Sequence, residues 1–489
     1  MEAGAVKRVV IAGGGTAGWV AAAALVRHLG PLLSITLVES DEIGTVGVGE
    51  STIPTARSFH NLLGINEPVF VRETHATFKL GIAFENWRAE GDRYFHPFGS
   101  VGRSVWMGDF QHFWLEAAAR GFAAPYGAYS PEQLAAEAGR FSNDPEAGLA
   151  YAYHLDATAY ARFLRGLAEP AGVRRVEGRI ERVTRDGESG FITGLELASG
   201  ERVEGDFFID CTGFRALLIG ETLGVSFEDW GQWIATDRAL AVQTESVGPP
   251  VPYTRAIAYG AGWRWQIPLQ TRVGNGLVYA SADLSDDEAR QRLLDALDGR
   301  PLFDPRAIRF RTGMRSSAWS HNCVALGLAG GFIEPLESTS IHLIHVAVTR
   351  LLQLFPFHGI DDAIVSRFNA QATREGEGIR DFIILHYKLT ERADTAFWRR
   401  CRDMAIPDTL TQRIALFAES AMAYQAGEDL FRVDSWVAVM LGQGIRPAHW
   451  HALAQLMPDA ELRKAFTDLE AGVRARVAKL PPHEAAFAN

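Results

Sequence analysis

The sequence predicts an α/β fold, with a mostly parallel, doubly wound sheet interleaved with smaller β-sheets and a mainly helical C-terminal region. Three observations predict it. The apolar run Val9-Val10-Ile11-Ala12 leads into Gly13-Gly14-Gly15-Thr16-Ala17-Gly18-Trp19, and a second strand-like run ends at Glu39. Short alternating runs divided by Asp186-Gly187 and Ser199-Gly200 fill the stretch before Asp210. Beyond Ile341 the apolar residues recur at helical spacing.

Each element follows from its residues. Arg8 to Ala12 is β-branched and stops at glycines, as a buried strand does. Ala17 to Leu29 is rich in small residues and reads as a helix packed closely on a sheet. Ser34-Ile35-Thr36-Leu37-Val38-Glu39 is the returning strand of a βαβ unit. Arg175 to Ile180, Phe191 to Leu197 and Arg202 to Glu204 alternate as strands, and Val203 to Ile209 runs into the turn Asp210-Cys211-Thr212-Gly213. Amphipathic helices are expected around Ile341–Phe355, Asp361–Thr373 and Leu410–Tyr424. Residues 1–340 are read as a core with substrate-site segments inserted at about 75–170, a size ordinary for one elaborate unit. Residues 341–489 are read as a helical substrate-binding region packed on that core rather than an independent domain.

At 489 residues the chain can bury a large core, and its 47% hydrophobic and 22% charged content is ordinary for a globular enzyme. A net charge of −11 excludes a nucleic-acid or anionic-membrane surface, which would need clustered Lys and Arg. Cys211, Cys323 and Cys401 are too few and too scattered for a disulfide scaffold or a zinc site, so no metal is expected and a reduced compartment is. No apolar stretch reaches the roughly 18–20 residues of a membrane span. The chain passes directly into a strand and a glycine loop, which predicts a cytoplasmic protein without a signal peptide.

The glycine loop has the context that a dinucleotide site requires, a strand before it and a helix after it. Gly13 permits the tight turn, Gly15 the close approach of a pyrophosphate, and Gly18 close helix–strand packing. Thr16 and Ala17 open the helix, whose free N–H groups favour phosphate. Glu39, about 20 residues on, would accept hydrogen bonds from ribose hydroxyls. Asp210 to Gly213 and Gly327-Leu328-Ala329-Gly330-Gly331-Phe332 look like the further contacts of FAD enzymes, and no second glycine-rich βαβ unit for a nicotinamide nucleotide is apparent. The reading is therefore an FAD-binding Rossmann-like core of the glutathione-reductase/monooxygenase type, with Gly327 and Gly331 near the flavin.

Along most of its length the chain resembles the flavin-dependent tryptophan halogenases. The matching segments are Gly13–Trp19, Gly47-Val48-Gly49-Glu50-Ser51-Thr52-Ile53-Pro54, Phe78-Lys79-Leu80-Gly81, Phe84-Glu85-Asn86-Trp87, His96-Pro97-Phe98 and Trp263-Arg264-Trp265-Gln266-Ile267-Pro268. Gly330 to Thr339 and His386-Tyr387-Lys388-Leu389 complete the set. The resemblance implies that reduced FAD (FADH2) and O2 convert chloride or bromide into hypohalous acid, which travels through a tunnel to Lys79 beside a small aromatic substrate. Two chemistries are open for Lys79: a neutral amine, favoured by flanking Phe78 and Leu80, forms a haloamine, or an ammonium hydrogen-bonds and polarises the oxidant.

By the same resemblance Glu337, in preference to Glu334, stabilises the cationic arene and accepts its proton. Ser51 and Ile53 belong to the strap that covers the flavin. His96, Pro97 and Phe98 form the loop that stacks on the substrate ring, worth about 0.5–1.5 kcal/mol beyond area burial. Trp263 and Trp265 act as a wall that blocks direct contact of substrate with flavin. Thr339 and Ser340 bind halide through backbone N–H groups. Ser340 departs from the glycine that the tryptophan-specific enzymes carry, and the added Cβ and hydroxyl are expected to shift preference toward bromide. A separate NAD(P)H-dependent flavin reductase and a homodimer are further implications. The substrate is open among tryptophan, free indole, a substituted indole and a larger indole compound, because Tyr424, Glu428, Asp429, Trp436 and Trp450 form no recognisable amino-acid clamp. The alternative is a flavin monooxygenase that hydroxylates an aromatic directly.

Overall fold

A computed structural model describes residues 4–42, 49–105, 108–427 and 429–487. Gly47, Val48 and Glu428 of the motifs above lie outside the described residues. The chain divides into two compact units, each assembled from three segments.

The first unit comprises the chain up to Ala76, Leu155–Gln232 and Arg309–Glu377. Its six-stranded sheet is ordered Trp319–Ser320, Cys323–Ala325, Phe207–Asp210, Arg8–Ala12, Ser34–Glu39, Arg174–Glu177. All neighbours are parallel except the terminal hairpin Trp319–Ser320. The central strands are covered on both faces, so they read as unbroken apolar runs: Val9, Ile11, Phe207, Phe208 and Ile209 are fully buried. The helix Thr16–Leu29 follows the first strand, with Val20 to Leu25 buried against it. A second, antiparallel sheet is formed by Ile180–Arg185, Ile192–Leu197 and Arg202–Glu204. The strand expected over 175–180 is interrupted at Gly178-Arg179, and its two halves belong to the two different sheets.

The second unit comprises Thr77–His154, Trp233–Ile308 and Gly378–Asn489. It is built on a seven-stranded sheet ordered Arg306–Arg309, Arg238–Glu245, Arg272–Tyr279, Gly262–Pro268, Thr254–Tyr259, Gly81–Glu85, Arg93–Pro97. This sheet was not expected from the sequence. Trp263 and Trp265 alternate with Arg264 and Gln266 on the strand Gly262–Pro268, so both indoles project to one face. Trp265 stands opposite Gly276 in register, and a Cβ there would lie 2.0 Å from the Trp265 ring. The helices Phe110–Ala119, Ala396–Asp403, Asp408–Ser420, Val433–Gly442 and Asp459–Ala478 belong to this unit.

The helix expected to end near Thr373 continues to Lys388, as Asp362–Lys388. Gly376 and Gly378 read as breakers in sequence. Gly376 is retained because a Cβ there would come 2.9 Å from Met314 Sδ, so close packing outweighs the poor propensity.

The first unit also buries a histidine network. His60 Nε2 meets Tyr160 OH at 2.9 Å, which meets His345 Nε2 at 3.2 Å, and Phe59 stacks on His345 at 4.0 Å. Burial pushes His60 down to about 3 and holds His345 well below its ordinary range. In the second unit burial brings His483 to about 4 and lowers His154 strongly. An unfolded histidine takes up its proton near 6.5, whereas these remain neutral to much lower pH. The stability they contribute is complete above pH 6.5 and is lost as pH falls toward 4. Glu50, raised to about 7 by burial, works in the opposite direction. Urea midpoints should therefore fall between pH 6 and 4.5, and His60→Gln should lower that slope by about 1.4 kcal/mol per pH unit. Parallel pH profiles for wild type and variant would contradict this.

Candidate active site

In the first unit three neighbouring strands end in loops at the same edge of the parallel sheet. Arg8–Ala12 runs into Gly13–Gly15, Phe207–Asp210 into Cys211–Gly213, and Cys323–Ala325 into Gly327–Ala329. Ligands of open parallel sheets bind at this carboxyl edge. Gly13 has φ +106°, and a Cβ on it would lie 2.3 Å from Cys211 O. A Cβ on Gly18 would lie 1.9 Å from Gly13 O, so the helix approaches the loop as only glycine permits. At Gly15 a Cβ would meet nothing within 4 Å. The helix Thr16–Leu29 has no side-chain cap at Gly15, which leaves the first-turn amides to a ligand. Loop shape, open space and uncapped amides fit a pyrophosphate. Gly213 and Gly327 take positive φ values of 72° and 61°, and Gly331 pairs with Met314.

Two acidic residues assigned to the cofactor have protein partners. Glu39 Oε1 accepts from Arg175 Nε at 2.5 Å and lies 3.6 Å from Arg165, while Oε2 accepts from Trp19 Nε1 at 3.3 Å. Asp210 is fully buried and accepts from Thr212 N and Oγ1 at 2.9 and 2.6 Å and from Leu218 N and Ile219 N at 2.8 Å each. Its charge folds the turn that carries Gly213. Arg165 and Arg175 carried no motif signal in the sequence.

Ser51 and Ile53 are buried, on and just after the strand Gly49–Ser51. Pro54 then leads into the helix Thr55–Leu63, and Thr55 Oγ1 meets His342 Nδ1 at 2.9 Å. His342 lies on the helix Ser340–Gln353, where Glu375 is 3.5 Å from its Nε2 and 2.9 Å from Arg350. The segment Gly49–Pro54 is thereby tied to the helix that Ser340 begins. Glu337 is fully buried in the turn Pro335–Glu337, as is Glu334 just before it. Ser338 takes φ +59° and turns the chain into that helix, with Thr339 at the N-cap and Ser340 first in the helix. Thr339 is fully buried, and its Oγ1 has no hydrogen-bond partner among the described residues. A buried hydroxyl beside unpaired helix amides suits an anion.

In the second unit Lys79 is the last residue of the strand Thr77–Lys79 and is 0% exposed. Its Nζ lies 4.9 Å from the centroid of the Phe98 ring. The strand pairs antiparallel with Ala152–Asp156, Lys79 standing opposite Ala152. Thr77 Oγ1 donates to Pro268 O at 2.6 Å, which joins the lysine strand to the end of the tryptophan strand. His154 Nδ1 meets Thr77 Oγ1 at 3.2 Å and its Nε2 meets Thr254 Oγ1 at 2.9 Å. Burial holds His154 well below its ordinary range.

His96, on the strand Arg93–Pro97, leads an aromatic cluster. Its ring is 5.6 Å from Phe382, which stacks on Phe431 at 3.7 Å and meets Trp436 edge-on at 4.9 Å. Arg413 lies over both Trp436 and Tyr424 and pairs with Asp429 at 2.5 Å. Trp450 instead donates to Glu116 at 2.7 Å. Trp263 and Trp265 are buried with ring centroids 6.1 Å apart, and Trp265 Nε1 has no hydrogen-bond partner among the described residues. Among the described residues no group of His, Cys, Asp and Glu is placed to hold a metal ion, and no helix is long and apolar enough to cross a membrane.

Comparison with known proteins bears on this geometry. The sequence profile of the family described as tryptophan halogenase matches residues 8–459. The chain is 35% identical to tryptophan 6-halogenase SttH of Streptomyces toxytricini, over 98% of each chain. Among solved structures it is similar to Xcc4156, a flavin-dependent halogenase from Xanthomonas campestris, with 56% identity, a TM-score of 0.98 and coverage of 99% and 98% of the two chains. BrvH, a flavin-dependent halogenase from Brevundimonas sp. BAL3, gives 46% identity, a TM-score of 0.95 and 99% coverage of each. Similarity of this extent, over a parallel sheet whose carboxyl edge is shaped for a dinucleotide, makes the chain a member of the tryptophan halogenase family and an enzyme of the flavin-dependent halogenase type.

Proposed function

We propose that the enzyme is cytoplasmic and halogenates an indole-type aromatic with chloride or bromide, drawing on O2 and on FADH2 from a separate NAD(P)H-dependent flavin reductase. The substrate class is tryptophan or a related indole, since relatives named as tryptophan 6- and 7-halogenases share 35% identity with this chain. The observation that carries the reading is a lysine wholly removed from water with an aromatic face against it, at Lys79 and Phe98.

The flavin would be held by the backbone of Gly13, Gly15, Thr16, Ala17 and Gly18, by the turns at Gly213, Gly327 and Gly331, and by Ser51 and Ile53 of the strap. Glu39 would face the ribose, and Asp210 would hold its turn in place. Bound there, reduced flavin supplies with O2 the two-electron oxidation of halide to hypohalous acid. Thr339 and Ser340 hold the halide through helix amides and the unpartnered Thr339 hydroxyl. Lys79 receives the oxidant in one of two ways. A neutral amine takes the halogen and releases water, or an ammonium donates a hydrogen bond to the oxidant's oxygen. In either case the halogen passes to a ring carbon and the oxygen leaves as water. The displaced ring proton goes to Glu337, which also stabilises the cationic arene. Phe98, with His96 and Pro97, stacks on the ring, and Trp263 and Trp265 serve as shape rather than as acids or bases.

Lys79→Ala should abolish halogenation of indole or tryptophan while leaving FAD affinity within about twofold, as expected for a group outside the cofactor contacts. Halogenated product from this variant, or oxygenated product without halogen from the wild type, would overturn the reading. Glu337→Gln should lower kcat for the arene about a hundredfold with halide oxidation intact. An unchanged kcat would remove Glu337 from the proton transfer. With equal chloride and bromide, mass spectrometry should show mainly brominated product, and Ser340→Gly should move the ratio toward chloride. Exclusively chlorinated product from the wild type would reject the role given to Ser340.

A further inference from the structure

We infer that His483, in the C-terminal tail, is a positioning residue for Lys79, holding the far edge of the lysine strand through the Phe78 amide. This rests on the reading of Lys79 as the residue that receives the oxidant.

The argument starts from strand geometry. Thr77–Lys79 is three residues long and pairs along one edge, through Thr77 and Lys79, with Ala152–Asp156. Backbone N–H groups alternate between the two edges of a strand, so those of Phe78 and Leu80, on either side of Lys79, point away from that neighbour. Among the described residues no third strand lies there. Leu80 N donates to Pro252 O at 2.8 Å. Phe78 N donates at 3.2 Å to His483 Nε2, 405 residues away in sequence. An imidazole thus stands where a neighbouring strand would present a carbonyl.

The imidazole is itself fixed. His483 Nδ1 lies 2.8 Å from Pro250 O, and a carbonyl only accepts, so Nδ1 carries the proton and Nε2 is left as the acceptor that Phe78 requires. The ring is 2% exposed and packs edge-on against Phe78, Phe141 and Phe487. Its backbone is anchored by His483 N to Gly139 O at 2.9 Å and by Phe141 N to Pro481 O at 3.1 Å. Pro250 and Pro252, on one short loop, accept from His483 and from Leu80. The tail and that loop together form the missing edge. A burial-lowered pKa keeps Nε2 unprotonated, consistent with an acceptor.

A displaced lysine strand leaves oxidant formation untouched and lets hypohalous acid escape. The test is the coupling ratio, halogenated product per hypohalous acid formed, with bromide, indole and an added thioether to trap escaped oxidant. The wild type must first brominate indole. If it does not, the reading of Lys79 fails, and this proposal fails with it. His483→Asn keeps a donor at the Nδ1 position for Pro250 but removes the acceptor at Nε2. His483→Gln keeps an acceptor near Nε2. His483→Asn should lower coupling on the order of tenfold, as small misplacements of reacting groups do, with KM for indole unchanged and thioether oxidation raised. His483→Gln should restore coupling to within about threefold of wild type, less than 1 kcal/mol. Wild-type coupling in His483→Asn, equal losses in the two variants, or a parallel fall in total oxidant and product would overturn the proposal.

Discussion

The removal of Lys79 from water constrains the whole second unit. An amine in an apolar interior is tolerated only where its surroundings are polar by design and free of like charge. The two histidines beside its strand, His154 and His483, are both held well below their ordinary range by burial, and each is hydrogen-bonded through both ring nitrogens. A three-residue strand cannot hold itself straight, and an unmade buried amide bond costs about 1–3 kcal/mol. Its edges are therefore completed by Ala152–Asp156 on one side and by Pro252 and His483 on the other. Thr77 carries the same constraint into the tryptophan strand through Pro268 O.

The first unit solves a different problem, binding a large anionic cofactor while keeping its own charges satisfied. Asp210 is spent on the amides of Thr212, Leu218 and Ile219, and Glu39 is shared by Trp19, Arg165 and Arg175. What remains for a ligand is backbone: uncapped first-turn amides at Gly15 and the turns at Gly213 and Gly327. Backbone amides presented by a rigid parallel sheet do not change their charge with pH, and their geometry is fixed before the ligand arrives. Thr339 adds a buried hydroxyl with no hydrogen-bond partner among the described residues.

Trp263 and Trp265 show how a chemical question becomes a steric one. Indole is a poor acid and a poor base, so two tryptophans on one strand invite no proton-transfer role. Strand alternation sends both rings to one face, and Gly276 opposite Trp265 gives its ring a place to lie flat. Packing of that kind makes a stiff surface, the property that the proposed role of these rings as a wall calls for.

By itself the sequence determined the parts governed by local rules. The βαβ unit, its glycine loop and the turns after Asp210 and Ala325 depend on periodicity and on backbone freedom at a few glycines, and these are visible within a dozen residues. The motif set around Lys79, Trp263 and Glu337 likewise determined the family. Tertiary structure alone decided what long-range pairing controls. The seven-stranded sheet draws strands from two segments, and the helix Asp362–Lys388 runs through glycines that a local reading treats as breaks, because packing against Met314 outweighs propensity. Local periodicity carries no record of distant partners. The arginines on Glu39 and the tail histidine on Phe78 are brought to their sites by folding, and the hydrogen bonds they make belong to no motif.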